Sequence, residues 1–331
     1  MVTRTTHQVF VALAIATGAA LATSSTATAP SRRILDDRGP VQSLDLYWGN
    51  TRAERAPVGP FTFLSENLGG TQPKMILVDA KGVRWNAKWG NEVQPEVAAT
   101  RLAWAVGLNV EETYYVENGQ IMFSSKRPSF HRLGSYIDKD GTFRSAARFE
   151  RRDANLVNKG TWSYGRDLDT DADGYSTLVL MDVVMANWDA KNGNHKILSM
   201  TDATGTTDWY MVGDYGACFG KMGGLLNHSK FKLRDYLRNK PVITSVNGRT
   251  VHLGFSGTNA SAHETLPIEG VRLFAKRAAG LSVTQIEDAF RAAHASGAEL
   301  DGFAEATYQR MQEVIATSSS PSHATQYAKP L

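Results

Sequence analysis

The stretch that decides the reading is 176-STLVLMDVVMANWDAKNGNHKIL-198, continued by 209-WYMVGDYGACFGK-221. An apolar run of helical length, Leu178–Ala186, delivers the chain to Asp189. Lys191 and Asn194 follow, so the loop reads D-x-K-x-x-N. Two β-prone runs, Lys196–Met200 and Trp209–Val212, flank the turn-forming residues 201–208 and predict a hairpin. The second run ends in Asp214-Tyr215-Gly216.

Upstream, Lys74–Val78 and Val83–Trp89 predict another hairpin around Asp79-Ala80-Lys81-Gly82. Gly69 and Gly70 stand just before it. Glycines there let backbone N–H groups approach phosphates, and without a G-x-G-x-x-G frame they also fit an ordinary tight turn. Lys88 closes the second strand, and Pro95-Glu96 open a helix. Val97, Arg101, Leu102, Ala105 and Val106 stripe it, and Gly107 stops it. A strand lysine followed by a helix glutamate suits phosphate binding: the ammonium neutralises phosphate oxygens while the carboxylate fixes its direction. Taken alone, the pair also fits a snorkelling lysine and a first-turn glutamate favoured by the helix dipole. The order Lys88, Glu96, Asp189, Asn194, Asp214 favours the phosphate reading.

Glu112–Val116 and Gln120–Phe123 predict a further hairpin, and Ser124–Pro128 a hinge. Residues 127–166, with Arg144, Arg148, Arg151 and Arg152, read as a solvated basic face. The run 169–174, DTDADG, imitates half of an EF-hand loop. Its twelfth position is Leu180, so it reads as a loop into a helix capped by Ser176. Val242–Phe255 predicts a hairpin turning at Asn247-Gly248. Ser282-x-x-Gln285 is a capping box before Ile286, Ala289, Phe290 and Ala293, and Phe303, Ala306, Met311 and Val314 mark a last helix.

A chain of 331 residues, 42% hydrophobic, fills one large domain or two lobes. Net charge of +3 gives no sign of a nucleic-acid partner. Val9–Ala22 is apolar and alanine-rich behind Arg4 and His7, which predicts a signal peptide over residues 1–22 and an exported protein. No later stretch qualifies as a transmembrane span. Residues 23–41 read as a flexible leader. Cys218 is the only cysteine, which excludes an intrachain disulfide, and its GACFG setting suggests a small buried hydrophobe. G-x-S-x-G, H-E-x-x-H and clustered Cys/His are missing from the sequence, which argues against those hydrolase and zinc chemistries.

Together, Lys88, Glu96 with its AATRLAWAVG helix, Asn187-Trp188-Asp189, Lys191, Asn194 and Asp214-Tyr215-Gly216-Ala217 resemble atypical kinases related to HipA toxin kinases and phosphatidylinositol kinases. They look closer still to exported bacterial kinase-like proteins carrying an NWD-x-K-x-x-N … D-[hydrophobic]-G-A-x-F-G core. The resemblance implies an α+β, two-lobed kinase-like fold. A small β-rich lobe with one helix would span 42–125, a larger helical lobe 126–316 and a disordered tail 317–331. It implies ATP or another nucleoside triphosphate in the cleft, near the Gly69-Gly70 turn, with Lys88 on phosphates and Glu96 orienting Lys88. Asp189 would take the acceptor proton, Lys191 would steady the phosphoryl group, and Asn194 and Asp214 would hold Mg²⁺ or Mn²⁺. Three features depart from the pattern: Asn187-Trp188 replaces His-Arg before Asp189, the glycine loop is incomplete, and the expected signal peptide would send the protein to a bacterial periplasm or exterior, which offers little ATP. Under this reading the acceptor would be a protein, lipid headgroup or small hydroxyl compound, and nothing in the sequence names which. The second reading is an exported kinase-like binding module without turnover, which nucleotide binding and turnover assays separate from an enzyme.

Overall fold

The computed structural model describes residues 31–164, 167, 173–224, 227–319 and 325–326. The expected signal peptide, the start of the leader, residues 169–172 of the acidic run and most of the tail lie outside the described residues.

The chain enters through β1 (Ser31–Arg33), and a first lobe follows: β2 (Phe61–Asn67), β3 (Lys74–Val78), β4 (Arg84–Trp89), α1 (Val93–Ala105), β5 (Thr113–Val116), β6 (Ile121–Met122) and β7 (Ala147–Arg152). Strands β2 to β7 form one sheet in the order β5-β7-β4-β3-β2-β6. Gly69 and Gly70 therefore stand between two paired strands, β2 and β3, rather than ahead of the first. Asp79 closes the β3–β4 turn. Its Oδ1 accepts from the Lys81 and Val83 N–H groups, each at 2.9 Å, and Oδ2 accepts from the Trp85 indole at 3.0 Å.

Period-2 alternation divides the labour of the sheet's faces. Phe61, Phe63, Met75, Leu77, Trp85, Ala87, Trp89 and Phe149 make the apolar core of this lobe. Lys74, Lys88, Arg148 and Glu150 alternate with them and face the other way. β5 and β6 are not the expected hairpin: β5 pairs with β7 and β6 with β2, at opposite edges. A flat six-stranded sheet would hold its edges about 24 Å apart. Residues 117–120, which join them, reach only about 18 Å when extended. The sheet must curl, with the apolar face inside. The local sequence specified two strands, but β7 contributes Ala147 and Phe149 to the core and takes the edge of β5.

The same strand moves the lobe boundary. Because β7 lies between β4 and β5, the chain leaves the sheet after Arg152 and crosses at 153–156, not at the expected 124–128. Leu133, Ile137 and Phe143 pack into the first lobe's core. The expected solvated arginine face is corrected at Arg148, which is only 2% exposed, while Arg144 is exposed as expected.

The second lobe contains β8 (Val157–Gly160), α2 (Asp173–Val184), β9 (Lys196–Asp202), β10 (Gly205–Met211), α3 (Leu233–Tyr236), β11 (Ile243–Asn247), β12 (Thr250–Leu253), β13 (Thr265–Pro267), α4 (Ile268–Ala278), α5 (Val283–Ala292) and α6 (Gly297–Ser318). β1, β10, β9 and β8 make a second sheet in that order. Every residue of α2 from Gly174 to Val184 is buried, as expected of a helix apolar on all sides. Ser176 is not its cap. It lies inside α2 against Gly270, where an added Cβ would come 2.1 Å from its Oγ. The Ser282–Gln285 capping box opens α5. Phe274, Phe290 and Phe303 join α4, α5 and α6 to the α2 core. α6 runs on to Ser318 with Thr317 buried, so the beginning of the expected disordered tail is ordered helix.

The fold is α+β in two lobes, one a curled sheet with a single helix and the other mainly helical. α1 joins them, for Val97, Ala98, Leu102 and Ala103 belong to the core built around α2. No described helix is long and apolar enough to cross a membrane.

Candidate active site

Where the lobes meet, one lysine touches three carboxylates. Lys88 Nζ, on β4, lies 2.9 Å from Glu96 Oε2, 3.1 Å from Glu92 Oε2 and 2.8 Å from Asp214 Oδ1. The first two acids sit four residues apart at the head of α1, which turns both toward β4. Arg148, across from Lys88 on β7, holds the other Glu96 oxygen at 2.9 Å. Burial opposes the Lys88 charge, but Glu96, followed by Asp214 and Glu92, overrides both burial and the repulsion of Arg148, and its pKa is raised. Burial alone would push the Asp214 carboxyl up; Lys88 instead holds it down to about 2. Glu92 is likewise lowered against its burial, by Lys88 and Lys230.

The Asp214 turn is built around these contacts. Asp214 adopts φ 56°, ψ 48°, left-handed backbone that a non-glycine residue keeps only when its surroundings enforce it. Gly216 packs against Glu92, and a Cβ there would come 2.6 Å from the Glu92 Cβ. Glycine is thus the one residue that lets the turn close on the head of α1. Lys230, from the loop after the turn, also pairs with Glu92 and lies over the Trp188 ring at 5.4 Å.

A second group forms the loop after α2. Lys191 Nζ binds Asp189 Oδ2 at 2.8 Å, and the Asn194 amide donates to the Asp189 carbonyl at 2.7 Å. Asp189 Oδ1 is buried without a hydrogen-bond partner, so one carboxylate oxygen stays open to accept. The loop is moored from below. Asn187 donates to Asp182 Oδ1 at 2.8 Å, while Tyr164 and His263 hold Asp182 Oδ2 at 2.8 and 3.0 Å. The Asn194 carbonyl would lie 3.1 Å from a Cβ on Gly213, which brings this loop against the Asp214 turn.

A cleft of about 740 Å³ opens between the lobes, and the side chains of the lysine cluster do not themselves line it. Leu64 and Ile76 line it from the first lobe, Leu198 and Met211 from the second, and Asp153, Ala154 and Leu156 of the crossover close one side. An ionic chain joins it to Lys88. Glu96 leads through Arg148 to Glu150, and Glu150 through Arg152 (2.6 Å) and Lys196 (3.3 Å) to Glu111 on the cleft wall.

Gly69 and Gly70 form the β2–β3 turn, where a Cβ on Gly70 would lie 3.1 Å from Lys74 Nζ. Arg132 donates at 2.8 Å to the carbonyls of both Leu68 and Gly70, fixing the turn. Lys74, directly opposite Lys88 in the β3–β4 register, has its pKa lowered by burial and by Lys88.

Carboxylate oxygens of Glu92, Glu96 and Asp214 lie within 4.8 Å of one another. The Lys88 ammonium sits among them, and the second oxygens of Glu92 and Glu96 pair with Lys230 and Arg148, so the Asp214 carboxylate is the group best placed to offer an oxygen to a hard divalent cation. Of the expected metal residues, Asp214 belongs to this group, and Asn194 stands in the Asp189 loop with its amide nitrogen donating to the Asp189 carbonyl.

The chain resembles solved kinase structures at low identity. The Helicobacter pylori proinflammatory kinase CtkA is 14% identical over 78% of this chain and 95% of that one, with a TM-score of 0.45. The Golgi casein kinase with Mn/ADP bound is 12% identical over 79% and 72%, with a TM-score of 0.40. Another Golgi casein kinase structure is 10% identical over 85% and 77%, with a TM-score of 0.38. No protein-family model matches the sequence, and no curated protein does.

Sequence reasoning missed Glu92, Arg148, Lys74 and Lys230. For Glu92 the signal was present as Lys88-x-x-x-Glu92-x-x-x-Glu96. For Arg148 it was the alternation Arg148, Glu150, Arg152 within a strand-length run. Lys74 and Lys230 have no local signature; register and a loop path bring them in.

Proposed function

We propose that the protein is a metal-dependent phosphotransferase, an atypical kinase in the manner of HipA toxin kinases and phosphatidylinositol kinases. In this reading it transfers the terminal phosphoryl group of ATP, or another nucleoside triphosphate, to a hydroxyl acceptor. The observation that carries this reading is Lys88 held at 2.9 Å from Glu96 and 2.8 Å from Asp214 at the junction of the lobes. The base would lie between the apolar walls of the cleft, with Leu64 and Ile76 on one side and Leu198 and Met211 on the other. Its phosphates would run toward Lys88 under the glycine turn.

The acceptor hydroxyl would attack the terminal phosphorus, the bond to the β-phosphate oxygen would break, and the nucleoside diphosphate would leave. Asp189 Oδ1, buried and unpartnered, is the atom suited to take the hydroxyl proton, while Lys191 fixes the other oxygen. Lys191, more than half exposed, would in this reading also steady the phosphoryl group. Asp214 and the Asn194 side-chain oxygen would hold Mg²⁺ or Mn²⁺, which would neutralise phosphate charge when bound, while Glu92 and Glu96 hold Lys88.

Asp189→Asn tests the assignment. Turnover should fall by roughly 10²–10⁴-fold with nucleotide binding retained. Unchanged turnover would remove Asp189 from the mechanism. Nucleotide binding by the wild type with no transfer over protein, lipid-headgroup and small-hydroxyl acceptors would instead support the binding-module reading.

A further inference from the structure

We propose that Lys74 is a second phosphate-binding lysine, which holds the phosphate chain of the nucleotide together with Lys88 beneath the Gly69-Gly70 turn. The inference rests on the phosphotransferase reading and extends its machinery to a residue outside the kinase-like motifs of the sequence.

Lys74 and Lys88 are directly paired across β3 and β4, so two ammonium-bearing side chains stand side by side on the cleft face. Like charges directly opposite one another destabilise a sheet unless something between them is anionic. Lys88 has that compensation in its three carboxylates. Lys74 has none: among the described residues its ammonium makes no hydrogen bond or ion pair, although the residue is partly buried. Asp214 and Glu92 lie near enough to act on it, while Lys88 and Arg148 repel it. A surface lysine ordinarily carries its head outward into water. This one is tucked under the turn, where a Cβ on Gly70 would lie 3.1 Å from Nζ.

The turn above it is fixed. Gly70 has φ +72°, and Arg132 clamps its carbonyl and that of Leu68. A rigid turn, a three-donor ammonium without a partner and a second ammonium alongside form a cradle for consecutive phosphates. A sugar hydroxyl or an apolar ligand would leave the Lys74 charge uncompensated.

The test compares the wild type with Lys74→Met, Lys74→Arg and Asp214→Asn by calorimetry, using Mn²⁺-ATP and inorganic tripolyphosphate as probes. In parallel, mass spectrometry follows acylation of Lys74 in the wild type with and without tripolyphosphate. Lys74→Met should weaken both probes by roughly 10- to 100-fold, as loss of a charge-assisted hydrogen bond does. Lys74→Arg should restore most of the affinity, and tripolyphosphate should shield Lys74 from acylation. The shielding measurement uses unmodified protein and stands even if a variant folds poorly. If Asp214→Asn loses Mn²⁺-ATP but Lys74→Met binds both probes as the wild type does, or Lys74 acylates equally with and without tripolyphosphate, the proposal is overturned and the phosphotransferase reading survives. If the wild type binds neither probe, both fall.

Discussion

Lys88 is the residue on which the site's electrostatics turn. Removing its ammonium in Lys88→Met would leave Glu92, Glu96 and Asp214 facing one another with Arg148, Lys230 and the more distant Lys74 to balance them. Breaking a buried ion pair from one side commonly costs about 3–5 kcal/mol. Urea denaturation at pH 7 should therefore show a loss of that order, and a loss below about 0.5 kcal/mol would mean that the cluster is well hydrated. Another residue gives stability a pH dependence of its own. His195 is buried against Trp162 at 4.2 Å with neither ring nitrogen bonded, and burial lowers its pKa to about 4. Between that value and the ordinary 6.5, the unfolded chain binds a proton that the folded chain refuses. Stability should thus fall as pH drops through this window, by on the order of 3 kcal/mol in all. His195→Phe should flatten that part of the profile relative to the wild type in denaturation series at pH 7 and pH 4.5. An equal pH slope in both proteins would assign the loss to other groups.

Among the elements, the contact between the Asp214 turn and the head of α1 is the tightest joint of the site. Gly216→Ala would drive a methyl group to 2.6 Å from the Glu92 Cβ, so either the turn or α1 has to shift. Overpacking of this kind costs about 1–3 kcal/mol. The variant should also lose nucleotide affinity, because Glu92 would leave Lys88; unchanged stability and affinity would show that the joint yields freely. The helix, the D-x-K-x-x-N loop, the β9–β10 hairpin and the Asp214 turn were legible because each is local: periodicity, turn residues and spacing lie within a few residues of one another. The β3–β4 strands and α1 were legible for the same reason. Partner choice was not. Nothing around residues 112–123 states that β5 will pair with Ala147–Arg152 instead of its neighbour, and so Arg148 read as a solvated arginine. Ser176 looked like a cap from its position before an apolar run, but the helix starts earlier, at Asp173, and buries it.

Taken whole, the molecule has two cores, one inside the curled sheet and one around α2, and the candidate site lies between them with α1 reaching from the first into the second. Lobes joined in this way are suited to holding a nucleotide whose base and phosphates each contact both sides. Export of the protein remains our proposal from residues 9–22, and it has its own check. Protein recovered outside the cytoplasm of its native host should have lost about 22 residues by mass. Intact Met1 on protein recovered from the cytosol would contradict it. The central claim is that Lys88, Glu96 and Asp214 form a metal–nucleotide site, and calorimetric titration of Mn²⁺-ATP into the wild type and Asp214→Asn tests it most directly. The account predicts Mn²⁺-dependent binding by the wild type and a drop of roughly tenfold or more in Asp214→Asn. Absence of binding by the wild type with any divalent cation, or equal binding by the two proteins, would contradict it.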